Sequence, residues 1–178
     1  MKIKIAYFTR PTWYSRIAYH YLKSNFEKVI LVSDELDKKK KFPNCDLIIS
    51  FGYQKIIPNN ILKKSKYAIN FHPSTLSNPG AGSYSYPIYK DEKYHGVVCH
   101  QMTAKPDQGK ILFEKKFRIN KNYDFLSLRD KTLVKSLELF YKVVDKIINE
   151  KKIKFKFSKK KWKRKPRIFT EYRDENLT

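Results

Sequence analysis

Lys66-Tyr67-Ala68-Ile69-Asn70, running on into Phe71-His72-Pro73-Ser74, is the stretch that decides how this chain is read. Residues 66–70 have the make-up of a buried strand. Residues i and i+2 of a strand point to the same side. An amide (Asn70) and an imidazole (His72) therefore project together from a strand end, which is where open α/β sheets place their ligands. Farther along, Asp107 sits in Lys105-Pro106-Asp107-Gln108-Gly109, a turn composition. An amide donor, a histidine able to carry charge and a carboxylate suffice for acyl transfer to an amine. Asn and His can hold a developing oxyanion, and the carboxylate can orient the His and help take protons from the attacking amine.

Working back from this stretch, the first half of the chain reads as strand and helix in alternation. Residues 3–8 form a first strand, and Ser15 is placed to cap a helix running to about Phe26. Residues 28–32 form a second strand, so the opening is a βαβ unit and the sheet is parallel. The first loop lacks the glycines of a dinucleotide fingerprint, which argues against bound NAD. Residues 34–42 form a charged connector read as a solvated loop. Asp46 to Phe51 is a continuous apolar strand of the kind buried in parallel sheets. Gly52 then permits close backbone approach and Pro58 stiffens the exit. A short helix is expected from Asn59 or Asn60 to Lys64.

Beyond the His motif, Tyr84 to Asp91 reads as a short helix with Pro87 in its first turn. Gly96 to Met102 is a further buried strand, and another spans 110–118. His95, Cys99 and His100 fit no established zinc spacing, so no metal is expected. His100, seven residues before Asp107, reads as a wall or supporting residue. Asp124 or Asn122 caps a long helix to about Glu150. Phe125, Leu128, Leu133, Leu137, Phe140, Val144 and Ile148 would form its apolar face, for core packing or a homodimer. Residues 151–167 carry eleven Lys or Arg and no acid. Ile153, Phe155 and Phe157 alternate there with lysines, which suggests a short half-buried strand. The cluster around Trp162 suits nucleic acid or a nucleotide, or else it is a tail laid over the domain. The expected organisation is a domain over residues 1–150 and a basic extension, 151–178, packed on it.

The 178 residues are enough for one domain with a real core. The net charge is +22, which fits an acidic partner such as RNA or a nucleotide sugar. It equally fits the compositional bias of an AT-rich genome, since Lys far outnumbers Arg. Cys45 and Cys99 sit in apolar runs and read as buried free thiols of a reducing compartment. Neither a signal peptide nor a stretch of the ~20 apolar residues needed to span a membrane is visible, so a soluble, cytoplasmic protein is expected.

Ile69-Asn70-Phe71-His72-Pro73-Ser74-Thr75-Leu76, then Gly96-Val97-Val98-Cys99-His100-Gln101-Met102, then Asp107-Gln108-Gly109, resembles the 10-formyltetrahydrofolate-dependent formyltransferases. That family includes methionyl-tRNA, glycinamide ribonucleotide and sugar N-formyltransferases. The resemblance implies a Rossmann-like α/β fold with a mostly parallel central sheet flanked by helices. It implies 10-formyltetrahydrofolate as co-substrate, and Asn70, His72 and Asp107 as catalytic residues. It places Phe51, Gly52, Tyr53, Ile56, Pro58, Met102 and Pro106 around the folate, and Arg10, Trp13 and Tyr14 near the acceptor. The chain departs from the family after the His motif, where many members carry Leu-Leu-Pro and an aromatic-Arg-Gly. Here the usual Pro is Ser77 and the Arg is missing. The favoured acceptor is the amine of a nucleotide-linked amino sugar. Charged tRNA, glycinamide ribonucleotide and water, giving a hydrolase, are alternatives on the same fold. The first loop lacks the glycine-rich phosphate loop expected for a glycinamide ribonucleotide enzyme. A non-catalytic basic module that binds RNA is the alternative of another class.

Overall fold

The computed structural model describes residues 1–33 and 41–168. The charged connector, apart from Lys41 and Phe42, and the acidic end of the tail lie outside the described residues. Six strands make one sheet, in the order β2-β1-β3-β4-β5-β6. β1 (Lys4–Thr9), β2 (Lys28–Val32), β3 (Cys45–Phe51) and β4 (Ser65–His72) run parallel. β5 (Tyr94–Gln101) and β6 (Ile111–Arg118) extend the sheet antiparallel. The helices are α1 (Trp13–Asn25), α2 (Asn59–Leu62), α3 (Ser85–Tyr89) and α4 (Phe125–Glu150). The architecture is thus the α/β sheet expected, mostly parallel with an antiparallel edge.

Alternation along the inner strands feeds two apolar layers, because a parallel sheet is covered on both faces. Ile5 and Tyr7 of β1, Ile49 and Phe51 of β3, and Ile69 and Phe71 of β4 join the larger core with residues of α1 and α4. Ala6, Phe8, Ile48 and Ala68 face the other way, against Ile57, Leu62, Phe42 and Tyr53. Phe140 is fully buried at the centre of the larger layer, its ring 5.1 Å from Phe51, 5.5 Å from Phe71 and 6.3 Å from Tyr7. Tyr21 hydrogen-bonds Asp145 and meets the Tyr141 ring edge-on at 4.7 Å, which ties α1 to α4.

Four local readings need correction. The N-cap of α1 is Thr12, not Ser15. Thr12 Oγ1 accepts the Ser15 N–H and Ser15 Oγ accepts the Thr12 N–H, a reciprocal capping box that places Ser15 one turn inside. β4 runs on to His72 because β5 pairs alongside it, with Asn70 opposite His100 and His72 opposite Val98. The buried stripe of α4 includes Leu139, Val143 and Ile147, which the sequence reading omitted, whereas Phe125 is 44% exposed. α4 lies across an aromatic floor that takes two adjacent residues per turn, so the buried face is wider than a single spaced row. Residues 153–157 form no strand. Ile153, Phe155 and Phe157 still pack on the larger core, since an extended chain alternates its side chains whether or not it joins a ladder.

Truncating the central ring tests this packing. Phe140→Ala should cost about 3–5 kcal/mol, as large-to-small changes at fully buried aromatics do. Urea unfolding followed by far-UV circular dichroism would measure it.

Candidate active site

The parallel strands end on one side of the sheet, and a cleft of about 680 Å³ opens there. Its size is that of an ordinary small-molecule site. Asn70 and His72 enter it from β4 on the face opposite Ile69 and Phe71. Pairing places Ser50, Asn70 and His100 in one cross-strand row on that face. Directly opposed residues bring their Cβ atoms within about 5.5 Å. This row explains why Asn70 Nδ2 lies 3.2 Å from His100 Nε2.

Asp107 arrives from the loop after β5. Its backbone is left-handed, with φ 44°, a conformation that Asp tolerates better than most residues. Its carboxylate is almost enclosed by donors. Oδ2 lies 3.3 Å from His72 Nδ1 and accepts the Gly80 N–H at 3.0 Å, while Oδ1 lies 3.2 Å from His100 Nε2. Burial alone would raise the pKa of this carboxyl. The charge of His72, the hydrogen bond and charge of His100 and the Gly80 N–H together outweigh burial and hold it well below the usual carboxylate range.

The imidazoles are oriented by carbonyls. His72 Nε2 is 2.9 Å from the Asn78 carbonyl and His100 Nδ1 is 2.8 Å from that of Gln101. A carbonyl only accepts, so both of these nitrogens carry hydrogen. His100 Nε2 then faces two exclusive roles: donor to Asp107 or acceptor from the Asn70 amide. In either case the Asn70 amide, with two hydrogens, has one left to point into the cleft. His95 is fully buried. Burial, and then the nearby His72 charge, outweigh a backbone hydrogen bond to Pro73 and push its pKa down to about 4.

The cleft is lined by Phe51, Gly52, Tyr53, Ile56, Met102 and Pro106. Gly52 has φ +72°, and a Cβ there would stand 2.6 Å from the Tyr14 hydroxyl, so the backbone turns where no side chain fits. Pro58 is not among the lining residues. It forms the N-cap of α2, and Ile57 and Leu62 reach the cleft instead. Arg10 and Tyr14 also line the cleft, Tyr14 with its ring 5.5 Å from that of Phe51, but Trp13 does not. As the first residue of α1 it is 52% exposed and packs edge-on against Tyr14. Ser83, Tyr84, Ser85 and Ser136 line the cleft as well.

Sequence reasoning expected a basic extension laid on the domain but did not say which of its side chains reach the site. Trp162 donates its indole N–H to the Gly109 carbonyl at 2.9 Å, and its ring meets His100 and His72 edge-on at 5.1 and 5.8 Å. Lys163 N–H bonds the Leu76 carbonyl, and Arg167 bridges Gly80. The loop lacks the arginine that the resemblance leads one to expect, yet a buried guanidinium lies against it, from residue 167. Only the density of aromatics among cations in 151–167 hinted at this. Among the described residues no group of His, Cys, Asp and Glu is placed to hold a metal, and no helix is long and apolar enough to cross a membrane.

Comparison with known proteins bears on the family and the fold of the chain. Residues 10–144 match the family described as Formyl transferase, and the chain belongs to that family. It is 35% identical over 121 residues to the methionyl-tRNA formyltransferase of Prochlorococcus marinus (strain MIT 9215), covering 65% of this chain and 37% of that protein. It is 33% identical over 130 residues to the methionyl-tRNA formyltransferase of a Wolbachia from Drosophila simulans, covering 70% of this chain and 44% of that one. The chain therefore spans well under half the length of these relatives. Among solved structures it resembles WlaRD, a sugar 3N-formyl transferase, at TM-score 0.75 and 21% identity, over 95% of this chain and 70% of that one. It also resembles PseJ from Anoxybacillus kamchatkensis, a formyltransferase crystallised with a UDP-linked formamido sugar and tetrahydrofolate, at TM-score 0.73 and 24% identity, over 96% and 88%.

The buried His95 carries a pH consequence. Its pKa is about 4 in the fold against about 6.5 for an unfolded histidine. Below pH 6.5 the unfolded chain binds the extra proton, so stability falls as pH drops from about 6.5 toward 4. Urea titrations should show a loss of roughly 2–3 kcal/mol between pH 7 and pH 4.5, and His95→Phe should flatten that slope. The Asp107 contribution is lost only at lower pH, below the ordinary carboxylate pKa of about 3.9.

Proposed function

We propose that this protein transfers a formyl group from 10-formyltetrahydrofolate to a primary amine, and that the amine belongs to a nucleotide-linked amino sugar. The observation that carries the reading is the convergence of Asn70, His72 and an ionised Asp107 at one point of one cleft. The folate rests on Phe51 to Tyr53, Ile56, Met102 and Pro106, whose apolar surfaces take the ring. The amine acceptor meets Arg10 and Tyr14.

The amine nitrogen attacks the formyl carbon, and the carbonyl oxygen becomes an oxyanion. Asn70 donates an amide hydrogen to that oxygen, since its NH2 carries two and at most one faces His100 Nε2. His72 already gives its Nε2 hydrogen to Asn78, so it acts by the charge of its ring rather than by a direct bond at that nitrogen. Asp107 sustains that charge across the Nδ1 contact. It also relays the proton lost by the ammonium centre, directly or through water, to the departing folate N10. The bond from the amine nitrogen to the formyl carbon forms, the bond to N10 breaks, and tetrahydrofolate leaves.

The hydroxyl groups of Tyr14, Tyr84, Ser83 and Ser85, with the cations of Arg10, Lys55 and Lys105 in the same cleft, favour a phosphorylated sugar, because together they offer polar contacts and positive charge. A second reading, transfer to charged tRNA, is supported by the identity to methionyl-tRNA formyltransferases and by the exposed Lys152, Lys154 and Lys156 beside Lys146.

Tetrahydrofolate release with amino-sugar nucleotides, methionyl-tRNA and glycinamide ribonucleotide offered in turn tests the reading. Release that depends on one acceptor identifies it, release without any acceptor indicates a hydrolase, and folded protein that binds RNA but no folate indicates a binding module. His72→Ala and Asp107→Asn should each lower turnover by at least about 100-fold. Full activity in either folded variant would remove the mechanism.

A further inference from the structure

Asn78 is a buried hub one step behind the imidazole, and no sequence motif pointed to it. Its backbone carbonyl holds His72 Nε2 at 2.9 Å. Its side-chain Oδ1 accepts from Arg167 at 2.8 Å, and its Nδ2 donates to both carboxylate oxygens of Glu92 at 2.9 Å. The amide is thus clamped between a cation and an anion. Arg167 is only 3% exposed, and its guanidinium lies 3.3 Å from the centroid of the Tyr86 ring. Two of its nitrogens have no hydrogen-bond partner, so this cation is not where solvation alone would put it. Its backbone is fixed as well: Arg167 N–H bonds the Pro79 carbonyl, and Ala81 N–H bonds the Arg167 carbonyl. Gly80 between them has φ +86°, and a Cβ there would meet the Arg167 backbone at 2.3 Å. The same Gly80 donates its N–H to Asp107.

From this we infer that Arg167, through Asn78 and Gly80, is a positioning residue for both His72 and Asp107. The tail segment 162–167, beyond the residues matched to the family, is then a working part of the site. An imidazole that keeps its charge against Asp107 at Nδ1 needs its other N–H committed to a fixed acceptor. Asn78 supplies that acceptor and Arg167 holds Asn78 in place. The inference rests on the reading of His72 and Asp107 as the reacting pair.

A structural role and a positioning role separate in Arg167→Met. Methionine keeps an apolar body against Tyr86 and leaves every backbone contact available. Removing one partner of a buried charged contact is destabilising, since Asn78 Oδ1 loses its donor. The variant should therefore unfold several degrees below wild type, yet stay folded at assay temperature and bind tetrahydrofolate with unchanged affinity. Its kcat should nevertheless fall about 10- to 100-fold with KM for the amine unaltered. The imidazole 15N spectrum should show the His72 Nε2–H resonance, fixed by the Asn78 carbonyl in wild type, displaced in the variant. Arg167→Lys, which retains the cation, should recover part of the rate, and it carries the same comparison should Arg167→Met not fold. A folded variant with an unchanged His72 spectrum overturns the inference. If the wild type shows no turnover with any acceptor, the formyl-transfer reading fails, and the 15N spectra still decide whether Arg167 positions His72.

Discussion

The carboxylate of Asp107 is the charge around which the site is built. A buried anion is costly unless it is paired and hydrogen-bonded, and here two imidazoles and a backbone N–H share the task. Each donor comes from a different part of the chain: β4, β5 and the loop after β4. The left-handed backbone of Asp107 is a small local strain of the kind that persists when its surroundings over-determine it. Satisfying this anion fixes where the imidazoles sit, and these in turn fix what the Asn70 amide can do.

The fold serves that arrangement by keeping the reacting face and the packing face apart on one strand. Ile69 and Phe71 are buried against the aromatic layer of α4, while Asn70 and His72 emerge opposite. Displacement of β4 by one residue would exchange the two sets. The core beneath, with Phe51, Phe71 and Phe140 in mutual contact, therefore also holds the register of the chemistry. The antiparallel edge has a purpose too, since pairing with β5 is what places His100 opposite Asn70.

Much of this was readable because it is local. The i, i+2 spacing of Asn70 and His72, the turn around Asp107 and the apolar runs of β1, β3 and β5 each follow from a few adjacent residues. What was misread depended on distant partners. Trp13 reads as a pocket aromatic, but it opens a helix and faces outward. The stripe on α4 was read too narrowly because its width is set by the aromatic floor and not by the helix. Asn78 and Arg167 stand 89 positions apart, and nothing in either neighbourhood announces the other. The tail reads either as a nucleotide- or nucleic-acid-binding run of cations or as an extension laid over the domain, and neither reading says which side chains turn inward. Its lysines are largely exposed, yet Trp162 and Arg167 turn inward. Composition records the charge of such a segment but not its path.

The central claim is that the cleft moves a one-carbon unit from a folate to an amine under the control of Asp107. The most direct measurement follows the carbon itself. Protein is mixed with 10-formyltetrahydrofolate labelled in the formyl carbon, together with an amino-sugar nucleotide, and the label is traced by mass spectrometry. The account predicts that the label appears as an N-formyl group on the sugar, one for each tetrahydrofolate released, and that Asp107→Asn leaves it on the folate. Label that stays on the folate with folded wild-type protein, across amino-sugar, tRNA and ribonucleotide amines alike, would contradict it.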